Sequence, residues 1–403
     1  MPCSRLRRSG ARLPVAERIA LVVPRCAHDA LGGAEALALA MARELAGSYE
    51  TEILTTCAND YWSWENVYPE GSSELDGIRV ERFAVDRPRN LAQFNRLSRR
   101  MRYRMGSTTI AEQEEWMRAQ GPYAPGLFQA LATRGHDLVL FFTYLYATTY
   151  FGLPLVADRA VLLPLAHDEW PLYFPMWRAF FAKVRGLLFA SPEERELVQR
   201  RFRDLSIAGP VIHPRMNDGA RIAPASRDDL PEHYLLYIGR IDGAKGVGEL
   251  CELYENFLRR NPTTPWHLLL AGPGTPDRAP SERIRYLGVV DEDTKAALLQ
   301  RAALFVMPSY HESLCIALLE AWAQGAPALV NGWNPVLVGQ CRRSNGGLWY
   351  RDQASFDAAL AALDVPTRAA LGRQGRSYVA RTYTGDALSA LARARRSLAK
   401  ARS

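Results

Sequence analysis

Two carboxylates and two cations stand in the second half of the chain where short apolar runs give way to helical ones. Glu312 and Glu320 lie in residues 307–327, Met-Pro-Ser-Tyr-His-Glu-Ser-Leu-Cys-Ile-Ala-Leu-Leu-Glu-Ala-Trp-Ala-Gln-Gly-Ala-Pro. On a continuous helix the two would be roughly 12 Å apart along the axis and about 80° around it, a spacing able to hold two ends of one extended ligand. A solvated charged face, or an acidic cap on a helix amino end, is the ordinary alternative. Arg240 and Lys245 share residues 239–246, Gly-Arg-Ile-Asp-Gly-Ala-Lys-Gly. Two cations on one loop above a helix amino end make a clamp for a diphosphate.

Strands and helices must position these side chains. Residues 302–307 are a short apolar run stopped by Pro308, which reads as a buried strand. Beyond it Leu314, Ala317, Leu318, Ala321 and Trp322 recur at the spacing of one buried helix face, and Gly325 with Pro327 ends the pattern. Open α/β sheets hold ligands in such turns, at the carboxyl ends of strands. The same order precedes it: strand 234–238, the cationic loop and helix 247–259, then strand 266–271 ending at Gly272. Strand 284–288 leads to a polar helix start at Asp291.

The first half repeats the grammar. Strand 19–23, a Gly32-Gly33 turn and helix 34–45 form one unit, and two glycines allow close backbone approach to a ligand. Strand 51–55 is followed by a loop bearing Tyr61, Trp62 and Trp64, rings suited to stacking on sugars or to packing on their own domain. Residues 87–104 hold seven arginines, among them Arg96, Arg99 and Arg100, interleaved with Leu91, Phe94, Leu97, Met101 and Tyr103. This predicts a basic amphipathic helix, either a solvated face over the core or a dock on an anionic membrane. Residues 138–157 carry no charge and have the length of a membrane span. Thr143, Gly152 and Pro154 break that run, so a buried parallel strand followed by a loop is expected. Strand 161–166 places His167 at its carboxyl end, as a structural hydrogen-bonder or a site residue.

At 403 residues, 48% hydrophobic and 23% charged, the chain calls for two domains. The expected division is a basic disordered tail 1–14, a first domain 15–208, a Pro-rich crossing 209–230, a second domain 231–385 and a terminal helix 386–403. The tail lacks the apolar core of a secretory signal. Six cysteines with no metal spacing imply reduced thiols and a cytoplasmic protein. A net charge of +7 suits polyanionic partners, whether nucleotide, lipid head group or nucleic acid.

Ser309-x-x-Glu312, seven residues, then Glu320-Ala-x-Ala-x-Gly-x-Pro resembles the donor-site signature of retaining glycosyltransferases of family 4. Gly239-Arg240, four residues, Lys245-Gly246 matches a second motif of that family, and Gly32-Gly33, His167 and Gly272 follow in its order. The resemblance covers roughly residues 18–385 and implies the GT-B fold: two Rossmann-like, doubly wound parallel-sheet domains facing a cleft, acceptor side first. It implies a nucleotide-sugar donor, a glycan or lipid-linked acceptor and a role in bacterial cell-surface polysaccharide synthesis. No metal or other cofactor is implied; peripheral contact with the inner membrane face is expected from residues 87–104 rather than from the resemblance.

By the same resemblance Arg240, Lys245 and the helix start at Ser313 and Leu314 would receive the departing diphosphate. Glu312 would hold sugar hydroxyls, Glu320 the ribose, and His167 would border the sugar. The terminal helix would cross back to the first domain. The family most often has Gly where this chain has Cys315, whose side chain would narrow the sugar pocket. Rivals are a GT-B epimerase or phosphorylase, an inactive interaction protein, and a basic nucleic-acid binder.

Overall fold

The computed structural model describes residues 17–27, 32–216, 230–276 and 281–400; the tail 1–14 and most of the crossing lie outside them. The first sheet contains β1 (Arg18–Val22), β2 (Glu50–Thr56), β3 (Gly71–Leu75), β4 (Ile78–Phe83), β5 (Leu138–Phe142), β6 (Ala160–Leu163) and β7 (Gly186–Leu187), in spatial order β3-β4-β2-β1-β5-β6-β7. Only β3 runs antiparallel. The second sheet contains β8 (Tyr234–Ile238), β9 (His267–Ala271), β10 (Ile284–Gly288), β11 (Leu304–Met307), β12 (Ala328–Asn331) and β13 (Gly347–Tyr350), all parallel, in order β10-β9-β8-β11-β12-β13. The chain thus folds into two α/β domains with Rossmann-like sheets.

Helices of the first domain are α1 (Gly33–Ala46), α2 (Leu91–Tyr103), α3 (Ile110–Gln120), α4 (Pro125–Thr133), α5 (Ala147–Gly152), α6 (Met176–Phe181) and α7 (Pro192–Arg201). The second has α8 (Val247–Arg260), α9 (Glu292–Arg301), α10 (Ile316–Ala323), α11 (Pro335–Ser344), α12 (Gln353–Ala362) and α13 (Val365–Thr382), and α14 (Ala387–Lys400) follows. Strands β5, β11 and β12 are buried at every residue. Such continuous apolar runs are what a parallel sheet covered on both faces requires. Residues 138–157 accordingly form β5 and the short helix α5 rather than a span, and no helix among the described residues is long and apolar enough to cross a membrane.

In both sheets the strand order reverses beside the first strand. The chain runs β8, β9, β10 to one side and then places β11 on the other side of β8. A crevice opens at such a reversal, outside the carboxyl ends of the two diverging strands. Here those strands are β8, which precedes Arg240 and Lys245, and β11, which precedes Glu312.

Among the contacts that hold the domains together, two lie away from the cleft. On the first turn of α7, Glu193 forms a two-pronged ion pair with Arg343 of α11, one prong at 3.1 Å. Gly339 of α11 leaves no room for a Cβ beside that carboxylate, so the helices meet where the side chain is missing. Helix α14 crosses to the first domain, against α1 and β7, where Arg395 pairs with Glu17 at 2.6 and 2.9 Å. Glu44 of α1 accepts the backbone amides of Arg215 and Ala387 at 2.8 and 3.1 Å, joining the crossing segment and α14 to the same helix.

Helix α2 is the amphipathic helix expected, in the first of its two forms, a solvated basic face over the core. Its Met101 is buried, Phe94 and Leu97 pack on the core, and Trp116 of α3 donates to Ser98 at 2.9 Å. The apolar stripe is therefore committed to the protein, while Arg96, Arg99 and Arg100 are exposed. Arg89 is not part of that surface. It donates to the Tyr61 carbonyl at 2.9 Å and lies over the rings of Trp64 and Phe94, and burial pulls its pKa down to about 10.

Candidate active site

The cationic loop after β8 is fixed by its glycines and one aspartate. Gly239 and Gly272 both have positive φ, 154° and 138°, and a Cβ on Gly272 would run into the Gly239 carbonyl. The loops after β8 and β9 therefore touch backbone to backbone, with the Ile241 amide donating to the Pro273 carbonyl at 2.8 Å. Asp242 accepts from the Lys245 amide at 2.9 Å and turns the chain into α8. Gly246, at φ 74°, starts that helix where a Cβ would lie 2.7 Å from the Pro308 carbonyl. That close approach brings the loop onto the one after β11.

The second loop hangs from β12 and α11. Asn331 donates to the Pro308 carbonyl at 2.8 Å, Asn334 to the Ser309 carbonyl at 3.3 Å, and Gln340 to the Leu314 carbonyl. Sequence reasoning missed all three; the signal at Asn331 and Asn334 is an amide at or just beyond a strand's carboxyl end, whereas Gln340 lies within α11 and carries no such signal. Ser313, Leu314 and Cys315 are buried. Cys315 is the residue before α10, at φ 63° and ψ 73°, a left-handed conformation that glycine adopts most easily. Burial pushes its thiol well above the usual range, so it is a neutral apolar group.

The loop also corrects the helical reading of the pair. Helix α10 begins at Ile316, so Glu312 and Leu314 precede it and helical spacing does not relate Glu312 to Glu320. Leu318, Leu319, Ala321, Trp322 and Ala323 are buried, whereas Ala317 is only partly so.

Each glutamate has its own lysine. Glu312 takes Lys245 Nζ on Oε1 at 2.6 Å, with side chains 13% and 22% exposed. Burial alone would raise the Glu312 carboxyl, but the Lys245 ammonium, helped by His167 and Ser309, outweighs it and holds the group below its ordinary value. Glu320 takes Lys295 Nζ on Oε1 at 2.8 Å. Lys295 was not singled out from sequence, where it reads as one polar residue of a helix start.

The first domain reaches the same cleft. Tyr61 lies over the Arg240 guanidinium, 4.3 Å from its centre, its hydroxyl accepting from Arg240 and donating to Asp242 at 3.2 Å. Arg240 Nη1 also donates to Asp242 at 2.9 Å. Tyr61 is thus a partner of the cationic loop rather than a free ring. Trp62 is 46% exposed, but Trp64 is buried, donating to the Gln120 carbonyl at 2.7 Å, so of the two uses open to these rings Trp64 takes packing on its own domain. His167 faces His311 of the second domain, ring centres 6.3 Å apart, and its Nδ1 lies 3.6 Å from Glu169.

Glu194 sets the His167 segment, accepting the Ala166 and Ala190 amides at 2.8 and 2.7 Å. Burial raises its carboxyl to about 7 against those two bonds. A Cβ on Gly32 would lie 2.6 Å from a carboxylate oxygen of Glu35, the end of a flexible side chain able to shift aside, whereas Gly33 opens onto free space. The structure therefore gathers Arg240, Lys245 and Glu312, with Tyr61 on Arg240 and His167 beside His311. Among the described residues no cluster of acidic, histidine or cysteine side chains is arranged to hold a metal.

Two facing Rossmann-like domains, with the charged cluster at the strand-order reversal of the second, define the GT-B fold. Residues 232–363 match the family described as Glycosyl transferases group 1. Sucrose-phosphate synthase from Thermosynechococcus elongatus superposes over 96% of this chain and all of that one, with a TM-score of 0.68 at 19% identity. Glycogen synthase of Mycobacterium tuberculosis is 35% identical over 106 residues, 24% of this chain and 25% of the relative. A GDP-mannose:cellobiosyl-diphosphopolyprenol alpha-mannosyltransferase of Xanthomonas campestris is 28% identical over 144 residues, 32% of this chain and 37% of the relative. The chain thus matches about a quarter to a third of the length of these curated relatives.

Proposed function

We propose that the protein is a retaining glycosyltransferase that moves a sugar from a nucleotide-diphosphate sugar to a glycan or lipid-linked acceptor, in cell-surface polysaccharide synthesis. The observation that carries this reading is the Lys245–Glu312 pair beside Arg240 at the crevice between β8 and β11. A nucleoside diphosphate entering there offers Lys245 a stronger anion than a single carboxylate. Lys245 passes from Glu312 to the diphosphate, and Glu312 is released to accept sugar hydroxyls. The names of the Mycobacterium and Xanthomonas relatives support sugar transfer, and the second supports a polyprenol-linked acceptor.

In the reaction the bond from the anomeric carbon to the diphosphate oxygen breaks while an acceptor oxygen bonds on the same face. The leaving phosphate oxygen takes the acceptor proton. Arg240 and Lys245 stabilise the charge that collects on the diphosphate, the most effective use of fixed cations in a site shielded from water. Because these protein cations stand where a metal would otherwise neutralise the leaving group, turnover is expected to persist in EDTA. His167 borders the sugar from the first domain, and Glu320 accepts from the ribose. The exposed arginines of α2 favour work on the inner membrane face.

A thermal-shift panel of UDP-, GDP- and dTDP-sugars tests the donor class, since a ligand of the folded state raises the unfolding midpoint. Stabilisation by none of them overturns the reading. Product of opposite anomeric configuration to the donor would overturn retention alone.

A further inference from the structure

We propose that Lys295 is a positioning residue for nucleotide recognition: from α9 it fixes one oxygen of Glu320 so that the other is presented to the two ribose hydroxyls. The inference rests on the proposed function, in which the nucleoside lies against Glu320. Lys295 Nζ lies 2.8 Å from Glu320 Oε1, and 3.0 and 2.7 Å from Glu292 Oε1 and Oε2. Exposure separates the two partners. The Lys295 side chain is 16% exposed, Glu320 27% and Glu292 80%. A lysine seeking only a surface partner would leave its ammonium in water beside Glu292. This one is drawn inward to Glu320, so its inner contact is the one that fixes its place.

The contact suits a ribose. A glutamate has three rotatable bonds, and holding one oxygen removes most of the freedom a diol would otherwise have to freeze on binding. Removal from water pushes the Glu320 carboxyl up toward its neutral form, and the Lys295 ammonium opposes that shift. An ionised carboxylate accepts from the hydroxyls about twice as strongly as a neutral one, whose proton also turns one oxygen into a donor. The lysine itself stays charged despite burial, because Glu320 and Glu292 outweigh its loss of hydration. Gln300 and Gln324 bond at 2.9 Å along the same pair of helices, so α9 and α10 hold together without the lysine.

Calorimetric titration of the intact protein with UDP and GDP, their 2′,3′-dideoxy counterparts and inorganic pyrophosphate tests the assignment. The wild type should prefer the ribonucleotide to its dideoxy form by about tenfold or more. Lys295→Met should abolish that preference, losing about tenfold on the ribonucleotide and little on the dideoxy compound or pyrophosphate. Lys295→Arg, which keeps the charge and is the less disruptive change, should retain part of the preference, and Glu320→Ala with Lys295→Met should lose no more than either alone. An unchanged preference in Lys295→Met, or equal losses on all three ligand types, overturns the inference while leaving the donor reading intact. Absence of nucleotide binding by the wild type overturns the donor reading instead.

Discussion

Glu312 and Lys245 neutralise each other before any ligand arrives, so substituting either changes the state of the other. Glu312→Ala should leave Lys245 free for phosphate, and affinity for free nucleoside diphosphate should be unchanged or higher. Turnover should fall by about 100-fold or more if Glu312 contacts strengthen as the sugar gains positive charge. Calorimetry beside steady-state kinetics checks both halves. Glu194 gives a pH-dependent expectation of opposite sense to the usual carboxylate. Its folded pKa of about 7 lies above the unfolded value of about 4.3. The folded state therefore holds a proton that the unfolded state releases, and this group's contribution to stability falls as pH rises from about 4.3 to 7. Glu194→Gln removes that term, so its stability relative to wild type should grow by on the order of 2 kcal/mol between pH 4.5 and 7.5 in denaturant titrations.

At the scale of elements, α10 shows what the sequence could and could not reveal. Gly325 and Pro327 mark its end plainly. Its start was placed too early, because the left-handed Cys315 leaves no signal in a sequence where Gly is the usual occupant of such a conformation. Relief of that conformation should offset the lost thiol burial, so Cys315→Gly should stay within about 1 kcal/mol of wild type, whereas Cys315→Val should cost about 2 kcal/mol or more. Thermal or urea unfolding measures both. The hairpin β3–β4 also escaped notice: β3 is polar and β4 mixes Arg79, Glu81 and Arg82 with its apolar residues, although the Asp76-Gly77 turn, with φ of 51° and 77°, is a strong hairpin signal. The α/β alternation was legible because buried parallel strands are apolar on both faces. Lys295 and Tyr61 were not legible as partners, since nothing local records which distant side chain will meet them. For α2, whose apolar side is occupied, any membrane contact would be electrostatic. Arg96→Glu with Arg99→Glu and Arg100→Glu should abolish co-sedimentation with anionic vesicles at low salt, without effect on neutral ones. Equal wild-type binding to both lipids would remove the idea.

For the molecule as a whole, Glu44 joins α1 to the crossing segment and to α14. Glu44→Ala should destabilise the first domain by about 2 kcal/mol, since it strands two backbone amides once held by a charge. A shift confined to the second domain in a domain-resolved hydrogen-exchange measurement would contradict this. The pairing of Glu17 with Arg395 spans 378 positions of sequence. In chain order, then, the second domain is an insertion within the first. During synthesis the first sheet is finished long before the helix that covers α1 and β7 has left the ribosome, and that face must wait for it. Closing such a distant contact is slow. The second domain, whose strands follow one another in a single run, is free to fold during the wait.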